Sequence, residues 1–332
     1  MRSRQILAFA VLVAGSTTGQ AQGQEQWAIS AAAVFPGGAP ANPDIAEVLR
    51  RLESPAGEGA PVSAEEFLAY CDQAGPLVDR KALFRYAVPG SKRNQDREHA
   101  EFVRSLMQAE QVQAGTDFLQ EHDALLRAAE ARYEVAPQDI VAILMWESGL
   151  GRHVGRHRVF DVLLGQLLYL EPAMRVAREE QRAIDGPGTL EATTPKEQAH
   201  RIQKLTRRAV TNLVALVRLA KAKGPHPTLM LGSWAGAIGY PQFMPASFRH
   251  AADGDGDGVI DLNHWPDAVF SVASYLQANG YGPSAAARRR GIFRYNPIDS
   301  YADGVLRYAN AIRERATRAS DAPDRPGASG AD

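Results

Sequence analysis

The chain carries one cysteine, Cys71. A single thiol closes no internal disulfide, which excludes a small fold stapled by bridges. Cys71 reads instead as a small apolar core residue. Strand signals are scarce: no run alternates β-branched with polar residues, so a β-sandwich or barrel is excluded. Charge of one sign is lacking too. Lys plus Arg number 37 against 38 for Asp plus Glu, a formal charge of −1, and nothing marks nucleic acid as a partner. No apolar run is long enough to span a bilayer. Internal repeats are absent.

What is there is an ordinary globular balance: 332 residues, 45% hydrophobic and 23% charged. That length buries a sizeable core in one large domain or two to three smaller ones. The start differs from the rest. Arg2 and Arg4 precede an apolar run at 6–14, and small residues follow to Ala21. This is the pattern of a secretory signal peptide, residues 1–21. No nearby cysteine accepts a lipid, so the expected product is periplasmic and not a lipoprotein.

Residues 22–45 are rich in Ala, Gly and Pro and read as a mobile lead-in, the start of a segment (22–95) of unknown role. Ser63 with Glu66 matches a capping box. Segment 75–97 reads as loop. From Arg97 to Tyr133, Phe102, Leu106, Phe118, Leu125 and Leu126 recur at helical spacing, with Gly115 as a possible break. Pro137 opens a strongly apolar helix that Gly149 and Gly151 stop. A further amphipathic stretch surrounds Val159 to Leu170, and a turn is expected at 185–188. Thr194 with Glu197 forms a second capping box, leading a helix with Ile202, Leu205, Leu213 and Leu216 that ends at Gly224. Residues 316–332 read as a disordered tail. The expected class is therefore mainly α with little β structure.

Three motifs carry chemistry. The first is the loop opening at Asp253, with Asp255, Asp257, Gly258, Val259 and Asp261 following. Aspartates at positions 1, 3, 5 and 9 with glycine at 6 form the front of an EF-hand loop, in which the Val259 carbonyl is the expected backbone ligand. The alternative is an Asp/Gly-rich turn without an ion. Position 12 is His264, a poor ligand for a hard cation; a loop of about 15 residues closing on Asp267 is the other solution. A lone loop of this kind suits a structural Ca²⁺ rather than a sensor.

The second motif is Glu147, which follows the apolar run 140–146 and precedes Ser148-Gly149. A carboxyl partly withdrawn from water there gains the raised pKa a general acid needs. A solvated helix terminus is the plainer alternative. The third is the segment 232–245, punctuated by Gly and Pro yet rich in aromatics and amides, with Tyr295-Asn296 and Tyr301 further on. That composition suits a carbohydrate groove, where rings stack on sugars; ordinary packing explains it equally.

These motifs occur together and in order, and there the sequence resembles the lytic murein transglycosylase B family. The carriers are Trp146-Glu147-Ser148-Gly149-Leu150-Gly151-Arg152, the segment 232–245, the loop 253–267, and Tyr295-Asn296 with Tyr301, over roughly 100–310. The resemblance implies a lysozyme-like catalytic core over 96–315 with an EF-hand-like calcium loop at 253–267. It implies peptidoglycan glycan strands as substrate, cleaved without water to 1,6-anhydro ends. It assigns Glu147 as the single acid/base and Ser233 and Gln242 as sugar-binding residues. Tyr240, Phe243, Tyr275, Tyr295, Asn296 and Tyr301 fall at groove or near-catalytic positions. Asp253, Asp255, Asp257, Val259, Asp261 and Asp267 become the calcium site. A lysozyme-type muramidase and a catalytically silent peptidoglycan-binding protein are the competing readings. The chain departs from the family at Ser148, usually Thr, at Trp234, usually Tyr, and at Arg175, a displaced arginine. Protein partners are unknown.

Overall fold

The computed structural model describes residues 27–56, 59–75, 83, 92–185, 194–223 and 226–320. The expected signal peptide, the turn beyond Asp185 and the tail beyond Ser320 lie outside them. In chain order the helices are α1 (Ala31–Val34), α2 (Pro43–Glu53), α3 (Ala64–Asp72), α4 (Lys92–Leu106), α5 (Ala109–Glu121), α6 (Asp123–Tyr133) and α7 (Pro137–Ser148). After strand β1 (His157–Arg158) come α8 (Val159–Asp185), α9 (Pro195–Lys223), strand β2 (Leu231–Gly232), α10 (Trp265–Ala278), α11 (Ala285–Tyr295) and α12 (Asp299–Ser320). The two strands pair antiparallel, His157 opposite Gly232 and Arg158 opposite Leu231. Apart from a bridge between Ile238 and Phe243, no other pairing occurs among the described residues. The fold is mainly α.

Helix α7 sits at the centre of one core. Pro137 starts it with a preset φ, and Asp139 through Trp146 are all buried. Around it pack α5, α10 and α12 through Phe118, Val269, Val272, Leu276, Tyr301, Val305 and Tyr308. A helix apolar all round is stable only when enclosed in this way. The carboxyl in its first turn, Asp139, is fully buried and matched: Arg288 donates to both carboxylate oxygens at 2.5 Å, and the Tyr281 hydroxyl donates to one of them. Arg288 also reaches Asn310 on α12. The pair fastens α7 to α11 and α12.

A second core joins the antiparallel α8 and α9 to the N-terminal helices. Ile45, Val48, Leu52 and Phe67 meet Phe160, Leu163, Leu164, Leu213, Leu216 and Val217. Buried Arg218 on α9 donates to the carbonyls of Ala56, Leu52 and Ser54 and so caps the end of α2, where the helix dipole favours a cation.

Several expectations need correction. Residues 29–45 are not a loose lead-in, because Ile29, Val34 and Ile45 are buried. The stretch 159–217 shares its core with the N-terminal helices, so residue 95 does not separate two cores. Helix α4 begins at Lys92, inside the segment read as loop. Gly115 does not break a helix: it lies inside α5, where a side chain would overlap the Tyr308 hydroxyl of α12. The actual breaks fall at Met107–Gln108 and His122. The Thr194–Glu197 box closes reciprocally. At Ser63 only half forms, since the Glu66 carboxylate turns to Tyr70 and Lys221. Helix α12 runs to Ser320, beyond the expected tail start, and a Glu314–Arg318 pair sits on that last stretch.

Removing one partner of a buried ion pair strands the other charge, at a cost of roughly 3–5 kcal/mol. Asp139→Ala should lose that much in urea unfolding. A loss below about 1 kcal/mol, the range of exposed pairs, would show that the pair does not hold the core.

Candidate active site

The second carboxyl of α7, at the opposite end from Asp139, is Glu147. It has one hydrogen-bond partner among the described residues, the buried Tyr301, whose hydroxyl donates to Oε1 at 2.7 Å. Burial pushes the Glu147 carboxyl up to about 7, and the Tyr301 bond holds back only part of that rise. No second carboxylate contributes among the described residues. The neighbouring phenols respond in turn. Tyr295 and Tyr301 are held well above the ordinary phenol range, first by burial and then by the Glu147 charge.

The chain leaves Glu147 through a tight turn. Gly149, Leu150 and Gly151 all take the left-handed backbone region, φ 61°, 55° and 79°. The N–H groups of Gly149 and Leu150 return to the Met145 and Leu144 carbonyls and close the helix end. A leucine in this region costs roughly 1–2 kcal/mol, which the packing around the turn must offset. Ser148 serves the turn: its hydroxyl donates to Leu144 O and accepts from Gly151 N. Arg152 reaches Gln111 on α5.

The segment 232–245 lies against this turn. Gln242, itself at φ 51°, donates through Nε2 to Val154 O at 3.3 Å and to Gly239 O at 2.9 Å. Its amide oxygen makes no bond among the described residues. Ser233 is buried, and its hydroxyl accepts from Ala237 N at 3.1 Å. Tyr240 lies on Trp265 with ring centres 4.0 Å apart. Phe243, Tyr275 and Tyr295 form one aromatic cluster, with centroid separations of 4.8–6.0 Å. Tyr295 donates to Pro241 O, and Tyr275 to Arg294 O at 3.0 Å. Asn296 caps the end of α11 through its backbone N–H, and its buried Oδ1 has no partner among the described residues.

Thus Glu147, Tyr295, Tyr301 and Tyr275 converge, Phe243 joins through its ring, and Tyr240 stands at the turn. Ser233 and Gln242 have part of their polar capacity spent inside the loop. Sequence reading missed Trp265, which backs Tyr240. Trp146, marked in the sequence by its place beside Glu147, meets Tyr301 edge-on at 5.0 Å.

The Asp-rich loop folds on its own carboxylates. Asp253 accepts from the Gly256 and Gly258 N–H groups, Asp255 from Asp257 N, and Asp257 from Val259 N. Asp267, buried in the first turn of α10, accepts from Gly254 N and Asp261 N and ties both ends of the loop together. Oxygens of Asp253, Asp255 and Asp257 lie within 4.8 Å of one another, as do ligand atoms of Asp255, His264 and Asp267. Asp261 belongs to neither group; its carboxylate caps Asn263 N at 2.8 Å instead. The Val259 side chain is exposed. Helix α10 starts at Trp265, two residues before Asp267.

A family model described as the transglycosylase SLT domain matches residues 62–292, reaching further toward the N-terminus than the resemblance in the motifs. The membrane-bound lytic murein transglycosylase B of Escherichia coli (strain K12) is 30% identical over 181 residues, 54% of this chain. The match spans 41% of that protein, less than half its length. Among solved structures, the catenated lytic transglycosylase SltB1 from Pseudomonas aeruginosa superposes with TM-score 0.63 at 22% identity, covering 83% of this chain and 98% of that one. The E. coli lytic transglycosylase Slt35 in complex with calcium gives 0.57 at 21%, covering 84% and 95%. At these identities the structures establish a shared fold.

Glu147 binds its proton more tightly folded than unfolded, where the ordinary value is 4.5. Its burial is therefore tolerated below pH 4.5 and becomes a penalty as pH rises through about 7. Glu147→Gln should melt near the parent at pH 4 and clearly above it at pH 8. A difference independent of pH would contradict a raised pKa.

Proposed function

Because the chain belongs to the transglycosylase SLT domain family, we propose that it is a peptidoglycan lytic transglycosylase. It cleaves the β-1,4 bond between N-acetylmuramic acid and N-acetylglucosamine and leaves 1,6-anhydromuramic ends. One observation carries the reading: Glu147 stands at the end of a buried helix with a tyrosine for a partner and no companion carboxylate among the described residues. Ordinary retaining and inverting glycosidases use two carboxylates. A single acid held near neutrality suits a reaction in which one group first gives a proton and then takes one back.

In that sequence protonated Glu147 donates to the glycosidic oxygen as the C1–O bond breaks, and the N-acetyl group of the muramoyl sugar assists at C1. Glu147, now a carboxylate, removes the proton from the sugar's own 6-hydroxyl, and O6 closes on C1. The enzyme ends with its proton restored. Because the attacking hydroxyl belongs to the substrate, the last step gains from intramolecular proximity. Tyr301 donates to the carboxylate when it forms. Ser233, Tyr240, Gln242, Phe243, Tyr275, Tyr295 and Asn296 are the groove residues of this proposal, rings against sugar faces and amides toward hydroxyls.

We infer further that Asp253, Asp255, Asp257, Asp267 and the Val259 carbonyl hold one structural Ca²⁺. The convergence of three carboxylates supports the fit, since hard oxygen donors at this spacing repel one another without a cation. Asp261 would act only through water or not at all. Bound Ca²⁺ supplies charge neutralisation to the loop that joins 232–245 to α10. Export to the periplasm remains the proposed location, and murein strands the partner. Among the described residues no helix is long and apolar enough to cross a membrane.

Digestion of purified sacculi tests the activity. The parent should release 1,6-anhydro products by mass spectrometry, and its rate should fall as pH rises through about 7 and the acid is lost. Glu147→Gln should lose more than the roughly 10²–10⁴-fold typical of one positioned acid or base. Reducing ends in place of anhydro ends would assign a muramidase, and no cleavage at all a binding protein. For the metal, melting curves in chelator and in excess Ca²⁺ should differ by about 2.7 kcal/mol of stability at a hundred times Kd. Asp257→Ala should erase that difference, and identical parent curves would refute the site.

A further inference from the structure

The indole of Trp146 occupies a slot that exists because one side chain is missing. Trp146 is 4% exposed. Tyr301 and Phe102 meet its ring edge-on at 5.0 and 4.9 Å, and His99 approaches at 6.5 Å. The remaining side is Gly304, one helical turn after Tyr301 on α12. A Cβ at Gly304 would stand 2.8 Å from Trp146 Cη2 and 3.0 Å from Val103 Cγ2, and would overlap Cζ3. Real side chains essentially never approach as closely as the two ring atoms would require, and both lie in the rigid outer ring of the indole. Glycine inside a helix costs roughly 0.5–1 kcal/mol relative to alanine, so its presence here has a spatial reason rather than a helical one.

The slot lies directly behind the reacting pair. Trp146 precedes Glu147 in the chain and stacks on Tyr301, whose hydroxyl meets Glu147 Oε1 at 2.7 Å. Helix α4 closes the slot from outside with His99, Phe102 and Val103, and His99 Nδ1 bonds Ser300 Oγ, beside Tyr301, at 2.7 Å. A methyl group at 304 has no soft neighbour to displace. It must move the indole, and the indole moves Tyr301.

We propose that Gly304 is a positioning residue: its missing side chain seats Trp146, and Trp146 in turn aligns the Tyr301 hydroxyl with the Glu147 carboxyl. This rests on Glu147 being the acid/base of the proposed reaction. Trp146→Phe removes Cζ3 and Cη2, so the two substitutions should compensate each other. Gly304→Ala fills the space that Trp146→Phe opens.

The test uses the full chain as Gly304→Ala, Trp146→Phe and the double variant. Two readouts are taken: the Glu147 carboxyl titration by ¹³C NMR without substrate, and kcat and KM on purified glycan strands. Gly304→Ala should lower kcat about tenfold, as misplacement of a reacting group does, with KM within about twofold. Its Glu147 titration should rise by about half a unit as the Tyr301 bond weakens. The double variant should return both quantities toward the parent. The proposal is overturned if Gly304→Ala titrates as the parent does, if kcat falls with no change in the titration, or if the double variant is no better than the worse single one. Should Gly304→Ala not fold, Trp146→Phe decides: it should shift the titration in the same direction, and an unchanged curve refutes the proposal. Because the titration needs no substrate, a parent inactive on murein would defeat the proposed reaction and leave this inference to be judged by itself.

Discussion

Enclosing α7 on every side is the constraint on which the rest of the structure depends. A helix whose residues 139–146 are all withdrawn from water needs neighbours all round, and α5, α10 and α12 supply them. Any carboxyl on such a helix faces the desolvation that enclosure imposes. The helix carries two, Asp139 in its first turn and Glu147 in its last, and they are treated in opposite ways. Asp139 receives a guanidinium on both oxygens and a phenol besides. Glu147 receives one phenol. A full counter-charge offsets desolvation, whereas a single neutral donor does not. The first carboxyl is therefore held in a buried ion pair, whereas burial pushes the second up to about 7.

That difference follows from what lies at each end. The Asp139 end meets Arg288 of α11, near the helix dipole's positive pole, where an anion is favoured. The Glu147 end meets aromatic rings and a left-handed turn, and its dipole disfavours an anion there. The turn also carries the backbone outward to Val154, where Gln242 fastens the segment 232–245. From that segment the chain passes through the Asp-rich loop to Asp267 at the start of α10, which packs back against α7. Glu147, the segment 232–245 and the Asp-rich loop thus belong to one closed circuit of chain around one helix.

Local signals were legible wherever the physics is local. Pro137, the apolar run and Gly149 mark α7 nearly to the residue because starts, stops and periodicity act within one turn. Ser63 and Thr194 mark helix starts for the same reason, and the EF-hand spacing marks a loop whose carboxylates do converge. The failures are of another kind. Gly115 reads as a break by propensity, yet it is helical because Tyr308, far along the chain, needs the space. Residues 29–45 read as loose because their composition does not reveal that α8 and α9 will cover them.

The sequence by itself determined the helical class, the order of the motifs, and the residues proposed to give a proton, stack on a sugar or bind a hard cation. These are properties of residue types and of spacings shorter than a few turns. Only the tertiary structure decided which carboxyl is matched and which is left to a tyrosine, and that Asp261 turns to Asn263 rather than to the acidic cluster. It alone set Trp146 between Gly304 and Tyr301. Burial and pairing depend on which surfaces meet, and residues 139 and 288, or 146 and 304, meet only once the helices between them have packed.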